Sequence, residues 1–134
     1  MKVALIGCGG VSKSHVAALK ACRHARLVVT VDLDETRARE RAEEAGPEVR
    51  WSTRPDDVLA DPQIDVVGLL LPHHLHARAT VAALTQGKHV LVEKPMALSL
   101  RDCAEMIRVA EAQERRLAVG QVLRFRHAHR FGRE

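Results

Sequence analysis

Short aliphatic runs alternate with longer stretches in which apolar residues recur every three or four positions. Lys2–Ile6, Arg26–Val31, Val49–Trp51, His89–Val92 and Leu117–Gly120 read as strands, rich in Val, Leu and Ile. Asp65–Leu71 is the most continuous apolar run and reads as a central strand buried on both faces. Helical spacing falls over Gly10–Ala21, Glu35–Ala45, Asp56–Ala60 (entered through Pro55), His73 to about Gln86, and Leu98 to near Arg115. Gly46-Pro47 and Gly87 are the expected terminators. Asp34 is placed to cap the second helix. Ser99 with Asp102 resembles a capping box, with Leu98 stapled onto Cys103, and that helix should turn Cys103, Met106, Ile107 and Ala110 inward. Trp51 is expected to pack at the sheet edge. Six strands joined by crossovers of this length predict an α/β protein with a doubly wound, mostly parallel six-stranded sheet of order 3-2-1-4-5-6.

The first strand runs straight into Gly7-Cys8-Gly9-Gly10-Val11-Ser12. Strand, glycine turn and helix in that order are the setting in which such a motif means dinucleotide binding, so the predicted sheet is of the Rossmann type. Gly7 permits the sharp turn. Gly9 lacks a Cβ and lets a pyrophosphate approach. Ser12 takes the third position, where a small residue packs helix on strand. The N–H groups near Gly10 and Val11 would face the phosphates with the positive end of the helix dipole. Asp32 ends the second strand, about twenty residues on, where a carboxylate reaches the adenosine ribose hydroxyls and repels a 2′-phosphate. That favours NAD, while nearby Arg37 leaves NADP possible. The plainer reading of Asp32 is a strand end. Leu71, Pro72 and His73 close the fourth strand on the ligand side of the sheet. His73, His74 and His76 invite a metal reading, but the spacing is not the usual i, i+4 pair and no Cys or acid is adjacent. A ligand-side loop, with some histidines merely in solvent, fits better, and no metal site is assigned.

Composition narrows this further. The chain has 134 residues, 46% of them hydrophobic and only 2% aromatic, so one core of Val, Leu, Ile and Ala is expected. Three scattered cysteines form no CxxC, as suits a reducing cytoplasm. No apolar run reaches the length of a membrane span, and with Met1-Lys2 leading straight into a strand no signal peptide is expected. The formal net charge is +4. Most arginines, as in Arg37-Ala38-Arg39-Glu40-Arg41, stand beside acids and read as a solvated helix face. The basic segment Arg124–Arg133 is the exception. It reads as a linker or helix start, with nucleic-acid or membrane contact as the less favoured alternative.

Together Ile6-Gly7-Cys8-Gly9, Asp32, Pro72…His76, Gly87-Lys88-His89-Val90-Leu91-Val92-Glu93-Lys94-Pro95 and Val119-Gly120…Arg124-Phe125 resemble the Gfo/Idh/MocA family, NAD(P)-dependent oxidoreductases of sugars, inositols and related polyols. The resemblance covers nearly the whole chain. It implies that Lys94 is catalytic, stabilising the oxygen that changes oxidation state, and that Glu93 and Lys94 stand on the nicotinamide-ribose side. Pro95 would follow a cis bond, Pro72 would line the nicotinamide pocket, and His76 would match the family histidine. Where the family usually has Thr-Pro-Asn, this chain has Leu71-Pro72-His73. Without the resemblance, Glu93-Lys94 reads as an exposed ion pair. Residues 1–121 would be the dinucleotide-binding domain, and 122–134 the start of a crossover to a substrate domain, or a basic tail. In the family that second domain supplies most of the substrate pocket, the subunit interface and usually a catalytic histidine, for which His127 and His129 lie too early. The expected partners are a sugar or polyol and either a homo-oligomer or a completing domain, with neither nucleic acid nor membrane. The alternative function is an NAD-binding or sensing module without turnover.

Overall fold

The computed structural model describes residues 1–121. The expected crossover or tail at 122–134, with Arg124-Phe125, His127 and His129, lies outside the described residues. Six strands form one parallel sheet in the order β3-β2-β1-β4-β5-β6. They are β1 (Lys2–Ile6), β2 (Arg26–Val31), β3 (Arg50–Ser52), β4 (Val66–Leu69), β5 (His89–Val92) and β6 (Leu117–Val119). The helices are α1 (Ser12–Ala21), α2 (Glu35–Ala45), α3 (Pro55–Ala60), α4 (His76–Thr85) and α5 (Leu100–Ala112).

Period-two alternation in β1 divides the core between the two faces of the sheet. Ala4 and Ile6 join Val58, Leu84, Met106 and Val109 from α3, α4 and α5. Val3 and Leu5 pack with Val16 of α1 and with Leu70. Parallel pairing with covered faces explains why β4 is a run of apolar residues rather than an alternation. All strands point the same way, so the segments after β1, β2, β4, β5 and β6 gather along one edge. The strand order reverses between β1 and β4, and ligands bind at such a point in sheets of this class.

The local chemistry behind the boundaries is visible. Asp34 Oδ1 accepts from the Arg37 N–H at 3.2 Å and caps α2. Ser99 Oγ accepts from the Asp102 N–H at 3.1 Å and caps α5. Gly87 takes a φ of +73° after α4, and its N–H donates to Leu84 O at 2.9 Å. Trp51 lies on the edge strand β3 and is 40% exposed.

Several expectations need correction. The first helix begins at Ser12, because the glycine turn extends through Val11. The run 65–71 is strand only over Val66–Leu69, since Asp65 turns its carboxylate to the Lys2 N–H. The stretch 73–86 divides into a 3₁₀ turn, His73–Leu75, and α4. Leu98 stands 65% exposed, and Ile107 is 48% exposed rather than inward, because Met106, Val109 and Ala110 take the buried stripe. Arg41 is not on a solvated face: it is 5% exposed and paired with Glu44 one turn on.

Candidate functional site

The turn after β1 is built around Gly7. Its φ is +101°, and a Cβ there would stand 2.8 Å from the Leu70 carbonyl carbon and closer still to its oxygen. Its N–H donates to Val31 O at 2.7 Å, tying β1 to β2. A Cβ on Gly9 or Gly10 would meet nothing within 4 Å, so the backbone here is open to an incoming group. Ser12 is fully buried, its hydroxyl donating to Gly9 O at 2.5 Å, which explains why the third position must be small. Val11 caps α1 with no side-chain hydrogen bond, so no side chain competes for that helix's first N–H groups. The Ser12 and Ser14 N–H groups donate to Gly9 O and Val11 O, at 3.1 and 3.2 Å, so an anion here would meet the open turn and the positive end of the α1 dipole.

Cys8 contributes only backbone to this surface. Its side chain is buried, with Sγ 3.4 Å from Val31 O. Burial, with the Asp32 carboxylate beside it, pushes the thiol up from 9.0 to about 11. A raised acid favours the protonated folded form. Between about pH 9 and pH 11 the unfolded thiol ionises first, so this group's stabilisation is lost as pH rises through that window. At pH 8, iodoacetamide should modify exposed Cys22 and spare Cys8 until the chain is unfolded. Mass spectrometry of tryptic peptides reads the order, and early labelling of Cys8 would contradict its placement.

Asp32 sits at the end of β2 with both carboxylate oxygens in use. Oδ2 accepts from the Cys8 N–H at 2.8 Å and Oδ1 from the Asp34 N–H at 3.0 Å. The side chain therefore holds the glycine turn and the α2 cap in register. Each oxygen keeps a further lone pair, so the carboxylate can still accept from ribose hydroxyls. Arg37 is turned to Asp34, Nε to Oδ2 at 3.4 Å, and both side chains are exposed.

On the far side of β1, Leu71, Pro72 and His73 follow β4, and Glu93, Lys94 and Pro95 follow β5. Pro72, His73 and His74 are exposed. His76 is different: fully buried, its Nδ1 lies 2.8 Å from Pro95 O and its Nε2 2.8 Å from Leu71 O. The His73 ring meets it edge-on at 5.6 Å between centroids. Its own ring thus faces backbone, not the edge of the sheet. The Lys94–Pro95 bond is cis. Lys94 is exposed, and among the described residues its ammonium has no side-chain partner. Glu93 does not pair with it. Glu93 Oε1 accepts from His15 Nε2 at 2.8 Å, and Oε2 from the Lys94 N–H at 3.2 Å. Among the described residues, no group of three His, Cys, Asp or Glu side chains is placed to hold a metal.

His15 is the residue that sequence reasoning missed. It lies one turn after Ser12 on α1, on the side of that helix facing the sheet, and a small polar residue followed by a histidine at i+3 was the available signal. Its partner, 78 positions away, was not legible.

An anion-ready glycine turn, an acid at the end of β2 and a parallel sheet whose order reverses beside them define a dinucleotide-binding domain. Residues 1–121 match the GFO_IDH_MocA family, an oxidoreductase family with an NAD-binding Rossmann fold, and the chain belongs to it. It is 35% identical over 127 residues to inositol 2-dehydrogenase 1 of Saccharopolyspora erythraea, covering 93% of this chain and 38% of that protein. It is 33% identical over 107 residues to myo-inositol 2-dehydrogenase of Thermotoga maritima, covering 80% and 32%. Among solved structures, the WlbA dehydrogenase of Chromobacterium violaceum in complex with NADH and UDP-GlcNAcA superposes with a TM-score of 0.86 at 31% identity, over 92% of this chain and 36% of that one. KijD10, a 3-ketoreductase of Actinomadura kijaniata in complex with NADP, gives 0.92 at 25% identity, over 98% and 40%. The chain spans well under half the length of these relatives.

Proposed function

We propose that this domain holds NAD, with NADP as the lesser ligand, and serves hydride transfer between a carbinol carbon of a sugar or polyol and the nicotinamide. The observation that carries the reading is the position of Lys94: exposed and without a side-chain partner, at the end of β5, on the same sheet edge as the open Gly9–Gly10 turn and Asp32. Bound nicotinamide supplies the hydride acceptor or donor. Gly9, Gly10 and Val11 hold the pyrophosphate through backbone N–H groups and the α1 dipole, on a turn shaped by Gly7 and Cys8, whose own N–H groups go to Val31 O and Asp32 Oδ2. Asp32 accepts from the adenosine ribose. Leu71, Pro72 and His73 line the nicotinamide side, and Glu93, steadied by His15, fixes the backbone that precedes Lys94. The Lys94 ammonium stabilises the alkoxide that develops as hydride leaves the carbon, and returns or takes its proton. His76 acts from beneath, through the carbonyls it meets. A second copy or a completing domain supplies the rest of the substrate pocket, and three free cysteines suit work in the cytoplasm.

A second reading, an NAD-binding or sensing module without turnover, is favoured by one fact. Among the described residues no acid–base side chain touches the Lys94 ammonium. Titration calorimetry with NADH and NADPH, followed by assay on a panel of polyols, separates the two: binding without turnover supports the module, and no binding removes both. In the same titrations Asp32→Ala should weaken NADH by about 10- to 100-fold, the loss of hydrogen bonds to a charged group. NADPH should change much less. An equal loss for both cofactors would mean that Asp32 acts only by holding the Cys8 and Asp34 N–H groups.

A further inference from the structure

The loop that carries Lys94 is held from two sides, and the side after Lys94 is held by a buried histidine. His76 opens α4, has no solvent exposure, and presents its two ring nitrogens to two backbone carbonyls, Leu71 O and Pro95 O, each at 2.8 Å. These carbonyls belong to the two segments that leave neighbouring strands β4 and β5, paired in register at Leu69 and Val92. Past β4, the Leu70 N–H still donates to Ile6 O, and past β5 the Glu93 N–H donates to Leu69 O. Beyond those bonds the sheet no longer ties the two segments together, and the imidazole spans the gap. The Leu71 carbonyl lies in the peptide that joins Leu71 to Pro72. Pro95 immediately follows Lys94. A neutral ring donates from one nitrogen and the protonated ring from both. Only the protonated ring bonds both carbonyls at once; a neutral ring bonds one and abuts the other, still filling the space between the two segments.

We propose that His76 is a positioning residue: by spanning Leu71 O and Pro95 O it sets where Pro72 and Lys94 stand against the nicotinamide half of the bound dinucleotide. The inference rests on the cofactor reading above and goes beyond it, because it makes the ring act through the backbone rather than on the ligand. It also gives the two ends of the cofactor different sensitivity. The adenosine and pyrophosphate contacts come from the turn after β1 and from Asp32, which His76 does not touch. Only the nicotinamide side should register its loss.

The test uses the 134-residue chain with two ligands, NADH and ADP-ribose, which lacks the nicotinamide. The unsubstituted chain should bind NADH more tightly than ADP-ribose. In His76→Ala, NADH affinity should fall on the order of tenfold while ADP-ribose stays within about twofold. His76→Gln, which keeps one donor within reach, should recover part of the difference. An equal fall for both ligands makes His76 a general support of the fold and overturns the proposal, as does an unchanged ratio. Should the variants not fold, the unsubstituted chain decides by nuclear magnetic resonance of the ring. A His76 ring N–H sheltered from exchange, and shifted by NADH but not by ADP-ribose, sustains the proposal, and a ring N–H absent or shifted alike by both overturns it. A chain that binds neither ligand brings down the cofactor reading and this inference with it, whereas binding of both with an unmoved ratio brings down this inference alone.

Discussion

Gly7→Ala is expected to destabilise the chain by roughly 2–6 kcal/mol and to abolish cofactor binding in whatever remains folded. Two effects add. A non-glycine residue held at a φ of +101° costs about 1–3 kcal/mol. The new methyl would also be driven into the Leu70 carbonyl, a backbone group that cannot swing aside as a side chain would, and overpacking of this kind costs typically ~1–3 kcal/mol. Relief would require moving Leu70, whose N–H donates to Ile6 O, or Gly7, whose N–H donates to Val31 O. The first movement loosens the end of β4 from β1, the second the end of β1 from β2. Urea unfolding monitored by far-ultraviolet circular dichroism reads the stability. Gly9→Ala is the control: its Cβ would meet nothing within 4 Å, so stability should hold to within about 1 kcal/mol while cofactor affinity falls. A Gly7→Ala variant as stable as the parent would show that the turn adjusts and that glycine there is not required by the fold.

The contrast between these two glycines shows what a sequence discloses. Gly7 and Gly9 look alike in a motif, and their distinct tasks were assigned from the strand–turn–helix context. At Gly7 the structure shows the sharp turn, with φ at +101°, because that context is local; at Gly9 it shows open space. Strand order was legible for a similar reason: apolar runs bounded by glycine, proline and caps leave few ways to wind a parallel sheet. The failures are long-range or angular. Ile107 and Met106 are adjacent and equally apolar, and one residue of helical phase decides which is buried. Arg41 sits among charges that are in solvent, yet the α2 axis turns it inward beside Ala38 and Ala42. The motif alone points His76 at the cofactor. The 3₁₀ turn before it sends its ring under the loops instead, where carbonyls 5 and 19 residues away receive it. Glu93 and Lys94 read as an ion pair in isolation. The structure separates them, because His15, from the helix beside the glycine turn, takes the carboxylate. That separation leaves the ammonium available for chemistry.

Lys94→Ala follows from this and should have the largest effect on turnover. In the proposed polyol oxidation, kcat should fall on the order of a thousandfold, within the range found when one preorganised charge or one acid–base group is removed. KM and the NADH dissociation constant should each stay within about threefold. The reasoning is positional: Lys94 is exposed at the end of β5, and among the described residues no side chain depends on its ammonium. The Lys94 N–H bond to Glu93 Oε2 is made by the backbone and survives the substitution, as does the His15–Glu93 pair. The loop therefore keeps its course, and what disappears is the charge proposed to face the developing alkoxide. Lys94→Met tests this more closely, because it keeps the length of the side chain and removes only the ammonium. It should be as inactive as Lys94→Ala and as competent in NADH binding. Retained kcat in Lys94→Met would take Lys94 out of the reaction. Matching losses of kcat and NADH affinity would instead make it a cofactor contact, and the stabilisation of the alkoxide would have to come from another side chain.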